Sequence, residues 1–266
     1  MTAGRSHEGK ISGKEEPMTA RAATNTPSAP DYGPAEPWLT CVVPFAVFLA
    51  AGLFEPTPSG GGLARTLGIG YAAYPIIYAI RLAATLAILA RFWPNLRSWL
   101  GRPTWWPPLL GLGLVVPWVV LTELQQNAGW TLGAGERAGY NPFAPANLGT
   151  DPPAAWAFWS VRLLGLVVVV PIVEELFLRG FLMRYVIKEQ FAEVPFGMLT
   201  GTAAAACTVY AVASHPAEAI AALGWFAILS GVAASTRKPI DCILCHAATN
   251  LALGGYVLAT DSWWLM

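Results

Sequence analysis

From Trp38 onward, apolar runs as long as a bilayer is thick alternate with short polar breaks. They fall at 38–54, 68–91, 107–122, 157–184, 197–214, 217–235 and 240–259, and predict about seven transmembrane helices. Trp38, Trp93, Trp99, Trp105, Trp106, Trp156, Trp159, Trp263 and Trp264 crowd the expected ends of these runs. An indole there can keep its ring among the headgroups and its N–H wet, so these residues read as an aromatic belt. The expected fold class is therefore all-α, a polytopic membrane helix bundle. Residues 1–36 differ: Ser, Thr, Pro, Gly, Lys and Glu dominate, and no apolar stretch of signal-peptide length follows the early basic residues. They are expected to form a disordered cytoplasmic tail. Met18-Thr19-Ala20 repeats Met1-Thr2-Ala3 and marks Met18 as an alternative start.

Composition agrees with the pattern: 55% hydrophobic and 12% charged residues are too apolar a mixture for a soluble domain of 266 residues. A net formal charge of zero, with no basic stripe, excludes nucleic acid as a partner and leaves the lipid bilayer. The basic residues carry more information by position. Arg91, Arg97 and Arg102 lie in the second break, Arg184 and Lys188 after the fourth run, and Arg237 and Lys238 after the sixth, whereas Arg65 and Arg137 are nearly alone in the breaks between. The positive-inside rule then places the N terminus in the cytoplasm and the C terminus outside. The long third break, 123–155, becomes an external, irregular loop.

Glu174-Glu175-Leu176-Phe177-Leu178-Arg179 interrupts the fourth run with charge. An ionised side chain at membrane depth costs at least ~2.5–3.5 kcal/mol on insertion scales, so such residues are candidates for proton handling, ion pathways or catalysis. On a helix Glu175 and Arg179 stand at i and i+4 and can pair, while Glu174 is rotated ~100° away. One acid is neutralised and the other is free to work; the bland alternative is a structural Glu–Arg pair beside a satisfied second acid. His246 and Asn250 share a face of the last run in the same way and could receive the oxyanion that forms when water attacks an amide. His215 ends the fifth run before Pro216, which pushes the preceding residue out of helical geometry. A helix starting at Phe196 would carry His215 ~28 Å along its axis, out of reach of Glu174, so 189–199 is expected to be an interfacial segment or the helix to be tilted.

Other chemistries fit less well. Ser160, Ser214, Ser230 and Ser235 show no Ser-His-Asp arrangement, and suit helix packing. Two histidines and a glutamate could bind zinc, but no His-Glu-x-x-His occurs and each ligand would come from a different run. Cys242-Ile243-Leu244-Cys245-His246 satisfies the C-x-x-C-H rule for haem attachment in letters, yet it lies within an apolar helix. Cys41, Cys207, Cys242 and Cys245 read as buried small hydrophobes.

Glu174-Glu175-x-x-x-Arg179, then His215, then His246-x-x-x-Asn250, on consecutive membrane segments, resemble the motifs of the CPBP family, which holds CAAX-type prenyl endopeptidases and bacteriocin-processing or immunity proteins. The likeness covers about 157–260, and divides the chain into a tail (1–36), N-terminal helices with the external loop (37–155) and a CPBP-like catalytic core (156–266). It implies that Glu174 is the general base, that His215 helps hold it, that His246 and Asn250 stabilise the oxyanion, and that Glu175 and Arg179 order the site. It also implies a glutamate-type hydrolase with no cofactor, acting on a membrane-attached or terminally processed protein. Glu174 to Tyr185 and Cys245 to Thr260 are similar to CAAX-protease-related proteins of exosortase and PEP-CTERM systems, which implies a bacterial inner-membrane location and protein-sorting partners. The family's second motif usually has Phe four residues before its histidine; Ala211 stands there, and the nearest aromatic is Tyr210. A non-catalytic protein of the same fold is the main alternative, and a proton-coupled transporter the weaker one.

Overall fold

A computed structural model describes residues 1–2, 33–60, 62–130 and 139–266. Most of the expected tail, Met18 and Arg137 lie outside these residues. Proline recurs at the helix starts, where its missing N–H leaves no bond unmade and its fixed φ suits the first turn. Helices α1 (Pro37–Gly52), α2 (Tyr74–Trp99) and α3 (Trp106–Asn127) begin this way. So does α4 (152–185), where the Asp151 carboxylate also accepts from the Ala154 N–H at 3.2 Å. Then follow α5 (Gly201–Ser214), capped by the Thr200 hydroxyl, α6 (Ala219–Thr236) and α7 (Pro239–Thr260). Among the described residues there is no strand.

Four segments are long and apolar enough to cross a membrane: Tyr71–Trp99, Trp106–Asn127, Pro216–Thr236 and Pro239–Thr260. α1 and α5 are shorter apolar helices. α4 is a continuous rod but not a uniform one. Leucine, isoleucine and valine cover its neighbours' outer faces: Ile76, Ile80, Leu112, Val116 and Leu251 are all exposed, as expected for surfaces turned toward lipid. The chain is a polytopic helical membrane protein.

The described residues from Gly33 to Met266 pack as one compact unit. α3 and α7 cross closely because Gly111 has no side chain: a Cβ there would lie 2.1 Å from the Cys245 carbonyl oxygen. At the same crossing the Thr249 hydroxyl donates to Gly111 O at 2.9 Å. At one end, Asp241 of α7 accepts from the Thr104 N–H and hydroxyl, each at 2.7 Å, and fixes where α3 starts.

Three sequence expectations are corrected. Trp159 and Trp263 are not belt residues; they are buried and meet edge to face, ring centroids 5.3 Å apart, inside a core cluster with Val119 and Val257. Arg184 is not a loop cation. It is 1% exposed and donates to Val194 O, Gly180 O and Ala192 O, strapping the chain after α4 back against that helix. The fifth helix starts at Gly201 rather than 197, and between α4 and α5 the only helical turn among the described residues is Phe191–Glu193. All four cysteines are free and buried, as their apolar setting suggests.

Candidate active site

The irregularity of α4 builds the site. Two π-helical stretches, Gly165–Val169 and Leu176–Leu182, flank the α-helical turn Val170–Glu175 that carries both glutamates. In the first stretch the Val170 N–H bonds to Gly165 O, five residues back. The next bond in that register would run from residue 171 to Leu166 O, but Pro171 has no N–H to give. Asn250 of α7 fills the gap: its Nδ2 donates to Leu166 O at 2.8 Å. A proline, a π turn and a carboxamide thereby fix Asn250 against the helix that holds the glutamates.

The two glutamates have different surroundings. Glu175 is 2% exposed and accepts from Arg179 Nη1 at 2.7 and 2.8 Å. Its Oε1 also lies 3.1 Å from His246 Nδ1. The Arg179 Nη2 donates to Phe226 O at 3.0 Å, tying the pair to α6. A carboxylate engaged by a guanidinium accepts only, so His246 must donate from Nδ1; its Nε2 is then an acceptor in the neutral ring and a donor in the imidazolium. Trp225 closes over the imidazole edge to face at 4.5 Å and donates to the Thr249 hydroxyl at 3.2 Å. Glu174, one residue earlier, makes no hydrogen bond or ion pair among the described residues and lines a cavity of about 410 Å³.

His215, His246 and Asn250 line the same cavity. Thus all six residues singled out in the sequence converge on one region, four on the cavity wall and Glu175 and Arg179 behind it. His215 shares the wall with Glu174 without a hydrogen bond to it. Its Nδ1 lies 2.8 Å from the Ser214 hydroxyl, and its ring meets Trp118 and Phe226 at 5.7 and 5.5 Å. Phe226 supplies an aromatic neighbour where Ala211, fully buried, cannot.

No local pattern in the chain announces what holds His215. Gln125 of α3, 1% exposed, donates through Nε2 to Ala217 O at 3.0 Å and Pro216 O at 3.4 Å, and its Oε1 accepts from the Ile220 N–H at 2.9 Å. One carboxamide therefore satisfies the broken backbone between α5 and α6. Arg81 and Arg162 also line the cavity, with Tyr74 and Tyr78. The charge-in-an-apolar-run test that found Glu174 would have found both arginines, since 68–91 and 157–184 contain them. Among the described residues no three His, Cys, Asp or Glu side chains are grouped to hold an ion.

Residues 156–252 match the family model for Type II CAAX prenyl endopeptidase Rce1-like. Over this segment, a little over a third of the chain, the protein is similar to the CAAX prenyl endopeptidases of the CPBP family. No curated protein and no solved structure shows a significant match. The matched stretch contains Glu174, Glu175, Arg179, His215, His246 and Asn250, whereas Tyr74, Tyr78, Arg81, Trp118 and Gln125 lie outside it. Phe48, Glu55, Tyr74, Tyr78, Arg81 and Trp118 of the cavity wall thus come from chain that precedes the matched segment.

Proposed function

We propose that the cavity hydrolyses a peptide bond of a membrane-attached or terminally processed protein, with Glu174 as the base that activates water. The observation that carries this reading is the contrast within one dipeptide: Glu175 is occupied by Arg179 and His246, while Glu174 lines the cavity and makes no hydrogen bond or ion pair among the described residues. A base must be free to take a proton. In the proposed step Glu174 removes a proton from water as the oxygen bonds to the peptide carbonyl carbon. The resulting oxyanion takes hydrogen bonds from the second N–H of Asn250 Nδ2, whose first is held by Leu166 O, and from His246 Nε2–H in the protonated ring. Glu174 then returns the proton to the departing amine, and the C–N bond breaks. Glu175 and Arg179 position His246; His215 shapes the wall that it shares with Glu174.

No step needs a metal, and the proposal is of a glutamate-type hydrolase without a cofactor. The similarity to exosortase-associated proteins supports a bacterial inner-membrane setting with a protein-sorting partner, and the pattern of basic residues supports a cytoplasmic N terminus. The test is Glu174→Gln in the purified protein with a lipid-anchored peptide. The amide keeps the shape but not the basicity, so cleavage should stop while the protein still melts cooperatively. Undiminished hydrolysis by that variant ends the assignment, and a full biological phenotype in all site variants would favour a non-catalytic role for the fold.

A further inference from the structure

The proposed chemistry leaves the arginine end of the cavity unused. Arg81 is balanced there: Nη1 donates to Glu55 Oε1 and Nε to Phe48 O, each at 2.9 Å. Arg162 is not. It is 6% exposed, lies within the fourth apolar run, and pairs with no carboxylate among the described residues. Its Nη1 donates to the Tyr74 hydroxyl oxygen, and its guanidinium carbon lies 5.7 and 5.6 Å from the Tyr74 and Tyr78 ring centroids. The buried Nε has no acceptor among the described residues. Tyr78 gives its hydrogen to the Arg162 carbonyl at 3.4 Å, but the Tyr74 hydroxyl hydrogen has no acceptor among the described residues. Two tyrosine faces soften the cost of a buried cation without supplying a counter-charge. The guanidinium is also the side chain best shaped for planar carboxylate or for phosphate oxygens.

We propose that this end of the cavity is an anion subsite, in which Arg162 and the Tyr74 hydroxyl hold a carboxylate or phosphate group of a bound molecule. Arg162 precedes Glu174 by up to about 18 Å of helix axis. An extended peptide advances ~3.3 Å per residue, so a peptide reaching from one to the other places its anionic group roughly five residues from the bond facing Glu174. That spacing rests on the hydrolytic reading above; the subsite itself does not.

The test separates the two. Glu174→Gln protein in phosphatidylcholine nanodiscs is titrated with an acylated, fluorescent hydrophobic peptide ending in a free carboxylate or in an amide. The carboxylate form should bind at least about tenfold tighter, which is one unit of 1.4 kcal/mol. Arg162→Gln in the same background should erase the difference, and Arg162→Lys should restore part of it. If the anion is a lipid phosphate instead, both peptides bind alike, and phosphatidylglycerol raises the melting temperature of the Arg162 protein but not of Arg162→Gln. Equal peptide affinities with no phosphatidylglycerol effect would overturn the proposal, as would a carboxylate preference that survives Arg162→Gln. Should that variant not fold, Tyr74→Phe keeps the ring and should cut the preference severalfold; an unchanged preference counts against the subsite. A wild type that discriminates between the peptides but cleaves neither removes the hydrolytic reading and leaves the subsite standing.

Discussion

Glu175→Gln should damage both the stability and the activity of this protein, unlike the same change one residue earlier. The carboxylate of Glu175 takes two contacts from Arg179 and one from His246, all between 2.7 and 3.1 Å, and both members of the ion pair have side chains 1% exposed. An amide of the same shape has one acceptor oxygen and turns an NH2 toward a donor. Removing one partner from a buried pair typically costs about 3–5 kcal/mol, because the other charge stays buried. At ~2–4 °C per kcal/mol for a chain of this size, the melting temperature should fall by roughly 6–20 °C. His246 would also lose the acceptor that orients it, and a displacement near 1 Å is enough for a ~10²-fold loss of turnover. Glu174→Gln breaks no hydrogen bond among the described residues, so its melting point should move by no more than about 1 kcal/mol allows. Melting is followed by tryptophan fluorescence in detergent, and turnover by cleavage of a lipid-anchored peptide well below both transitions. Indistinguishable melting of the two variants would refute the division of roles between the glutamates.

His246→Ala and Asn250→Ala should each lower turnover by ~10²–10³ while leaving peptide binding intact, because each removes a proposed oxyanion donor; a loss confined to binding would contradict that role. Cleavage should tolerate strong chelators, and elemental analysis should find no stoichiometric zinc; bound zinc whose removal stops turnover would overturn the metal-free mechanism. Cysteines introduced beside Arg97 and at Asn147 should be labelled from the cytoplasmic and the external side respectively, and the opposite pattern would invert the orientation.

The sequence carries the parts of this site that depend on local spacing. Glu175 with Arg179, and His246 with Asn250, are one helical turn apart in the chain, so their shared faces follow from helix geometry alone. Charges in apolar runs stand out for the same reason. The Glu175–His246 contact joins residues on different helices, and no local pattern announces it. The π register of α4 is hidden too: Pro171 is visible, but that it orphans Leu166 O, and that Asn250 repairs the loss, emerges only once α4 and α7 are packed. Trp159 and Trp263 show the limit of composition, since a tryptophan near a helix end serves a lipid interface or a core equally well until its neighbours are known. Arg162 and Arg81 were legible by the rule that exposed Glu174; they lacked an accompanying motif, not a signal.

Direct attack by water under Glu174 can be followed in a single turnover in H2¹⁸O with excess protein over peptide, with mass spectrometry of the product and of the fragment containing residue 174. General-base catalysis by Glu174 puts one ¹⁸O in the new carboxylate of the product and none in Glu174. Label appearing in the Glu174 side chain, with unlabelled product, would mean that the carboxylate attacked the peptide itself, and would contradict the general-base mechanism.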